Sequence, residues 1–216
     1  MGSQGTLDVS QLFAAAFEQV HENLTAAALA VFVLVAGNLA LDYTLKSGGV
    51  AAAGFLSLGA QYYVIRASLN RAGLLPAGFN GRFASFWGMN IMTGLAILLG
   101  CVLFILPGAY LAGRWLVAGP AILAGDKTAG EGMRESWESM KPSRWHAVGA
   151  LLIIYCLMFG FAVVQGFIFP NDDAPFAVKT VIYAGMFSAS VFAWLMAVGA
   201  YRLVANSTQT LAEVFA

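Results

Sequence analysis

Long apolar runs are the feature that most constrains this chain. Residues 24–41 contain only Thr25 and Asn38 as polar side chains, and similar runs recur later in the sequence. A bilayer core about 30 Å thick is crossed by about 20 helical residues. Of the 216 residues, 60% are hydrophobic and only 10% are charged, whereas a soluble domain is about one quarter charged. The sequence therefore predicts an all-α, multi-pass transmembrane helical bundle.

We predict about six spans within one membrane domain that covers residues 1–216. They are placed at 24–45, 50–66, 86–106, 109–125, 145–169 and 181–204. The segment 109–125 is the hardest to assign, because it is short and contains both Arg114 and Pro120. Its alternative is a surface or re-entrant helix, which would leave five spans. A kinked span fits the distribution of charges between the loops better.

Two further segments are predicted to be amphipathic helices at the membrane surface. Residues 7–22 place Leu12, Phe13, Ala16, Phe17 and Val20 on one helical stripe, and the segment is too polar to span. Residues 128–140 lie in the most densely charged stretch of the chain, and a proline follows shortly after them.

Basic residues favour one side of the predicted bundle. If the N-terminus is cytoplasmic, the inner loops and span ends hold Arg66, Arg71, Arg82, Lys127, Arg134, Lys141, Arg144 and Arg202. The outer turns then hold only Lys46 and Lys179. Cytoplasmic loops carry an excess of Lys and Arg. We therefore expect both termini in the cytoplasm.

No catalytic, cofactor-binding or metal-binding constellation is evident. The histidines, His21 and His146, lie at predicted membrane boundaries, and Cys101 and Cys156 lie in apolar runs, as small buried residues would. No zinc-protease, nucleophile-elbow or phosphate-loop motif is present. Eleven basic residues balance eleven acidic ones, which argues against nucleic acid as a partner. Residues 1–22 contain no Lys or Arg, so we do not expect a signal peptide.

Polar side chains inside the predicted spans are few. They are Asn38, Asp42, Gln61, Asn90, Arg114, Gln165, Ser188 and Ser190. An ionisable residue in lipid needs a partner or a water-filled pocket. Asp42 and Arg114 fall near the outer ends of their predicted spans, so they are candidates for an intramembrane ion pair. The pair would be a packing clamp or a headgroup site, unless the two side chains reach the interface separately.

The predicted cytoplasmic helix is the candidate docking surface. Met133, Trp137 and Met140 fall on one edge of an otherwise charged helix. Arg134 and Arg144 would lie close to an anionic leaflet, together with Trp137. The edge could equally pack against the ends of the spans, and the sequence leaves both interpretations open.

One stretch resembles a known family. It reads Leu-Pro-Gly-Ala-Tyr-Leu-Ala-Gly-Arg-Trp from residue 106 and is followed by a short polar helix before the next span. The chain resembles the YciC-like bacterial inner-membrane proteins and the membrane domain fused to some glycerophosphodiester phosphodiesterases. The matching positions are Pro107, Gly108, Arg114, Trp115, Pro120, Arg134, Ser136 and Trp137. One departure is that the acid the family often carries after this stretch comes only at Asp126. The resemblance implies a bacterial inner-membrane helical protein and says little about activity, because the phosphodiesterase chemistry belongs to a separate soluble domain.

The sequence favours a non-enzymatic integral membrane protein. We expect an accessory or scaffold module that organises membrane lipids or other membrane proteins, without a cofactor. A small transporter or permease subunit for an amphiphilic substrate is the alternative, and a membrane-embedded lipid-modifying enzyme is a weaker third. A transporter would show polar groups at mid-membrane on interrupted helices, and only 109–125 suggests one.

Overall fold

The computed structural model describes residues 6–45, 49–103, 105–169 and 174–214. Within these ranges the chain forms helices and no strand, which confirms the predicted all-α bundle. In chain order the helices are α1 (Val9–Glu22), α2 (Leu24–Leu45), α3 (Gly49–Arg71), α4 (Phe83–Leu103), α5 (Ile105–Arg114), α6 (Ala118–Ala124), α7 (Ala129–Ser139), α8 (Arg144–Ile168) and α9 (Phe176–Val214).

α2 and α3 form an antiparallel hairpin along their whole length. Gly37 of α2 lies directly against Leu56 of α3. The guanidinium of Arg71, the last residue of α3, donates to the carbonyl of Glu22, just before α2 begins. α8 and α9 pair in the same way, with Gly185 packed on the ring of Phe161. At both positions the glycine leaves room for the facing side chain of the partner helix.

One end of the bundle is held by ion pairs. Arg82 donates from Nε to Asp126 at 2.6 Å, and Arg202 donates from Nη1 to Glu22 at 2.7 Å. These residues come from the start of α4, the α6–α7 turn, α9 and the end of α1. We call this region, defined by Glu22, Arg82, Asp126 and Arg202, the charged end. The opposite end is where α2 and α4 finish and α9 begins.

α1 lies across the charged end. A capping box starts it, in which the Asp8 side chain accepts from the Gln11 amide while the Gln11 side chain accepts from the Asp8 amide. The helix buries Leu12 and Ala16 completely against α8 and α9. Its first turn lies near Ser143, whose Oγ accepts from the Leu7 amide at 2.8 Å. The amphipathic stripe predicted from the sequence therefore packs on the bundle, except for Phe17, which is 63% exposed.

The expected number of spans is corrected to four. Among the described helices, α2, α4, α8 and residues 176–206 of α9 are long and apolar enough to cross a membrane. α3 has 23 residues, but Gln61, Arg66, Asn70 and Arg71 make its second half polar. The segment 109–125 is not one helix: it is divided between α5, of 10 residues, and α6, of 7 residues.

The four apolar helices keep most of their surface on the outside of the bundle. Only 22% to 39% of each apolar window is buried, and Phe32, Val102, Phe159 and Phe167 point outward with 68% or more of their surface exposed. Soluble proteins rarely expose apolar patches of this extent. The arrangement is the one expected of a membrane-embedded bundle.

The cysteines lie on the same outer surface. Cys101 and Cys156 are both free and exposed, whereas the sequence predicted small buried residues. Both cysteines lie in apolar helices, as predicted, but on helix faces that point away from the core.

Candidate functional site

α5 and α6 together return along α4 as a broken helical segment. Gly108 packs on the backbone of α4 at Gly100, near the opposite end. Asp126, which follows α6, pairs with Arg82 at the start of α4. Between these contacts the helix is interrupted over residues 115–117. Broken helices are tolerated at membrane depth only where protein or a cavity surrounds them, and α6 is buried at six of its seven positions.

Arg114 ends α5 and is a deeply buried cation. The residue is only 3% exposed. Its guanidinium carbon lies 4.1 Å from the centroid of the Trp137 ring and 6.0 Å from that of Tyr110. Its Nε has no hydrogen-bond partner, and it forms no ion pair with a carboxylate in the described ranges. The aromatic faces therefore provide its main stabilisation, which is about 2 kcal/mol for a desolvated cation–π contact.

An aromatic cluster surrounds this cation. The Trp137 ring lies 6.1 Å from Tyr110 and 6.0 Å from Trp115, between ring centroids. Tyr110 in turn lies 5.6 Å from Trp145, the second residue of α8. The cluster thereby joins α5, α7 and α8 next to the charged end.

α7 is fixed to the bundle by its apolar edge. Gly132 lies against Ile122 of α6, and Met140 is completely buried. The hydroxyl of Ser136 donates to the carbonyl of Arg114 at 2.9 Å. At the start of the helix, hydrogen bonds to the Glu131 carboxylate from Thr128 lower the pKa of Glu131. The apolar edge therefore packs on the other helices.

The three candidate docking residues occupy different environments. Trp137 is engaged with Arg114, whereas Arg134 is exposed and Arg144 is half-buried. The Arg144 guanidinium donates from Nη1 to the carbonyl of Lys141 at 2.8 Å. Arg134 and Arg144 thus present their charge at the surface, whereas Trp137 packs on Arg114.

The predicted pair of Asp42 and Arg114 does not form. The Asp42 carboxylate accepts a hydrogen bond from the hydroxyl of Tyr183 on α9. Arg114 instead faces α7. The reason is that α5 starts at Ile105 and has 10 residues, so its last residue lies about 15 Å along the segment rather than near the opposite end.

A cavity of about 300 Å³ lies inside the bundle beside the interruption between α5 and α6. Polar side chains from four helices line it, namely Ser57, Gln61, Asn90, Thr93, Tyr155 and Ser190. The wall also includes Trp115 and Pro120 from the broken segment, Trp194 from α9 and apolar side chains of α8. The volume is at the lower limit for a small-molecule site, about 300 Å³.

Hydrogen-bonding groups in this cavity are neutral. The Asn90 amide donates from Nδ2 to the Phe86 carbonyl at 3.0 Å, and Thr93 donates to the Met89 carbonyl at 2.8 Å. The Oδ1 acceptor of Asn90 is thus not used by that bond. Such a lining can solvate hydroxyl, ester or amide groups next to an apolar chain.

Sequence reasoning identified some of these polar residues singly but did not bring them together. Ser57 and Gln61 are four residues apart, and Asn90 and Thr93 are three apart, so each pair shares a helix face. That spacing was the available signal for two polar faces turned inward. The sequence does not show which helices those faces contact, because that depends on packing between residues far apart in the chain.

Among the described residues, no three His, Cys, Asp or Glu side chains are grouped so that they could hold a metal ion. Comparisons with protein families, with characterised proteins and with solved structures found no match. The resemblance to the YciC-like proteins therefore stays a prediction.

Proposed function

We propose that the chain is a non-enzymatic integral membrane protein that organises anionic lipids or partner proteins at its charged end. In this proposal the charged end and both termini face the cytoplasm of a bacterial cell, with the bundle in the inner membrane. The orientation rests on the excess of Lys and Arg at that end, and the cell compartment rests on the family resemblance.

The observation that carries the proposal is a group of unpaired basic side chains beside the aromatic cluster. Arg134, Lys141 and Arg144 form no ion pair with a carboxylate in the part of the chain that the structure describes. The neighbouring Trp145 is 59% exposed. Tryptophan is enriched at membrane interfaces, and each basic residue near an anionic leaflet contributes about 1 kcal/mol of attraction.

Lipid preference tests the proposal. The combined variant Arg134→Gln, Lys141→Gln and Arg144→Gln should weaken the preference for phosphatidylglycerol over phosphatidylcholine on the order of 100-fold, since three such charges contribute about 3 kcal/mol. Lipids bound to the purified protein are counted by native mass spectrometry. Glu138→Gln, which changes an exposed charge on α7 without removing a cation, is the control. An unchanged preference in the combined variant contradicts the lipid role.

Orientation has a separate test. In a background without Cys101 and Cys156, Thr44→Cys at the opposite end should react with an impermeant thiol reagent in intact cells, and Gly130→Cys on α7 should not. Gly130 has open space around it, so the substitution leaves the fold intact. Labelling at residue 130 from outside would reverse the proposed orientation.

A second candidate function is transport of a small amphiphile, alone or as a permease subunit. The polar cavity beside the broken α5–α6 segment favours it, because transporter sites lie near mid-membrane at discontinuous helices. Asn90, Gln61 and Ser57 would solvate the polar group of the compound, and the neighbouring apolar side chains would hold its chain.

Tryptophan fluorescence can test this second candidate. A brominated short-chain alcohol should quench Trp115 and Trp194, which line the cavity. Asn90→Leu should reduce the quenching, whereas Ser188→Leu, at an exposed position on α9, should not. Counterflow of the same alcohol across proteoliposomes then distinguishes a transporter from a binding protein. Quenching that is equal in all three proteins would contradict a cavity site.

A further inference from the structure

We propose that α3 carries a site for one anionic glycerophospholipid from the leaflet at the charged end. The inference deepens the proposed lipid-organising function and rests on it. Its basis is a pair of adjoining depressions along one face of α3, an apolar one deep in the bundle surface and a basic one near the charged end.

The apolar depression is a groove between α2 and α3. It has a volume of about 340 Å³ and is lined by residues including Leu29, Val33, Phe55, Leu56 and Gly59. Gly59 forms an open part of this groove, because a Cβ placed on it would meet nothing within 4 Å. Side chains on both walls are apolar, and a hydrocarbon chain fits such a lining.

The basic depression adjoins the groove on the side of the charged end. It has a volume of about 370 Å³ and includes Arg66, Asn70, Pro76 and Phe79. Tyr63 lines both depressions and joins them. The apolar groove and the basic pocket therefore lie next to each other along α3.

The charge of the basic pocket selects for an anion. The Arg66 guanidinium lies over the ring of Phe79, 5.6 Å from its centroid, and forms no ion pair with a carboxylate in the described ranges. No acidic side chain lines either depression. A phosphate diester can accept hydrogen bonds from Arg66 and from the Asn70 amide, and this charge-assisted geometry suits arginine.

The dimensions fit a single lipid of one leaflet. From Phe55 to Tyr63 the helix rises about 12 Å, and from Tyr63 to Asn70 about 10 Å. Half of a bilayer core is about 15 Å thick, and each headgroup region adds about 5 to 7 Å. Because α3 ends at the charged end, with Arg71 bonded to Glu22, the tail would point toward the membrane centre and the phosphate toward the charged end.

Four single variants test the site in the full chain. Gly59→Leu fills the groove, and Arg66→Gln removes the charge of the pocket. Their matched controls are Gly54→Leu, at a glycine that also has open space but does not line the groove, and Arg71→Gln, which removes a neighbouring exposed charge that lines neither depression. Native mass spectrometry after titration with phosphatidylglycerol or phosphatidylcholine counts the lipids retained, and thermal melting in detergent checks that each variant is folded.

The wild type should retain one phosphatidylglycerol molecule that Gly59→Leu weakens at least tenfold. Arg66→Gln should weaken phosphatidylglycerol about tenfold and leave phosphatidylcholine nearly unchanged, and both controls should bind that lipid as the wild type does. Arg66 is exposed, so this variant tests the site even if Gly59→Leu lowers the melting temperature.

Two results would overturn the inference. One is retention of phosphatidylglycerol by Gly59→Leu and Arg66→Gln at the wild-type level. The other is equal loss in Gly59→Leu and Gly54→Leu, which would show that any added bulk on α3 displaces lipid. If α3 variants bind normally while the combined variant at Arg134, Lys141 and Arg144 loses its lipid preference, the α3 site is wrong and the proposed function stands. Normal lipid preference in both sets contradicts both proposals.

Discussion

α8 and the α5–α6 segment have comparable lengths, but they differ in how their backbones are continued and covered. α8 is an unbroken helix of 25 residues, and only 28% of its apolar window is buried. The α5–α6 segment is interrupted over residues 115–117, and α6 is enclosed by other helices. The outer surface of α8 is therefore suited to contact with lipid, whereas the α5–α6 segment is mostly surrounded by other helices.

This difference explains where the polar features of the bundle lie. A continuous helix satisfies its own backbone hydrogen bonds, so its outer face can be entirely apolar. An interrupted helix exposes backbone groups and must be enclosed. Arg114 and the polar cavity both lie beside the enclosed interruption. The aromatic cluster around Arg114 and the cavity therefore both depend on the broken segment.

The largest contrast is expected between glycines of the two segments. A Cβ on Gly108 would lie 2.8 Å from the Cys101 amide nitrogen and 2.9 Å from the Ile97 carbonyl oxygen. Gly108→Leu should therefore cost about 3 kcal/mol or more, since a backbone cannot yield as a side chain does. Gly160→Leu on α8, where nothing lies within 4 Å, should be near neutral. Thermal unfolding in detergent measures both, and equal losses would contradict the close approach of α4 and α5.

The next effect concerns the buried cation. Trp137→Ala should cost about 3 kcal/mol, because it removes a packed aromatic ring and leaves Arg114 buried without its aromatic face. Arg114→Met should cost less, since an apolar side chain of similar length removes the desolvated charge.

The two substitutions combined give a double-mutant cycle. A coupling energy of about 2 kcal/mol is expected between Arg114 and Trp137, the size of a desolvated cation–π contact. Unfolding of the two single variants, the double variant and the wild type is compared under one condition. Strictly additive losses would mean that the ring does not stabilise the guanidinium.

A smaller contrast is expected where α5 crosses α8. A Cβ on Gly113 would lie 2.7 Å from Cγ2 of Val148 and 3.1 Å from the Arg144 carbonyl oxygen. Gly113→Ala should destabilise by about 1 to 2 kcal/mol. Gly149→Ala on α8 meets Val9 only at an ordinary 3.6 Å and should gain up to about 1 kcal/mol of helix propensity. Melting temperatures that shift in the same direction would contradict the crossing.

The smallest effect is expected from pH. The hydrogen bond from Arg82 lowers the pKa of Asp126. The stability that this ion pair adds to the fold is therefore fully present above the pKa of Asp126 in the unfolded chain, about 4. It is lost as the pH falls through the lower pKa of the folded protein. Asp126→Asn should flatten this acid dependence slightly, because both side chains are more than one third exposed. Melting curves from neutral to acidic pH test it, and a steeper dependence in the variant would contradict the pairing.

Much of the helical organisation could be predicted from local sequence. The stripe of Leu12 and Ala16 is the buried face of α1, and the capping residues Asp8 and Thr128 start α1 and α7. These features depend on side chains within one or two turns of each other, which the chain specifies directly.

The candidate sites were harder to predict because they join distant residues. The sequence identified Arg114 as a residue that needs a partner, and that partner is Trp137 rather than Asp42. Asp42 bonds to Tyr183, far along the chain. The predicted pairing placed Arg114 near the outer end of a span over 109–125, whereas α5 starts at Ile105 and carries Arg114 about 15 Å further along the segment, against α7.

The amino-acid sequence by itself determined the all-α class, the apolar helices and the concentration of basic residues on one side. Hydrophobic runs and short-range hydrogen bonds are sufficient for these features, because each depends on neighbours in the chain. Only the tertiary structure decided where the broken segment lies, which polar faces meet in the cavity and how Tyr63 joins a groove to a basic pocket. Helical periodicity sets the face on which a side chain lies, but the helix that covers that face is chosen by packing across the whole bundle.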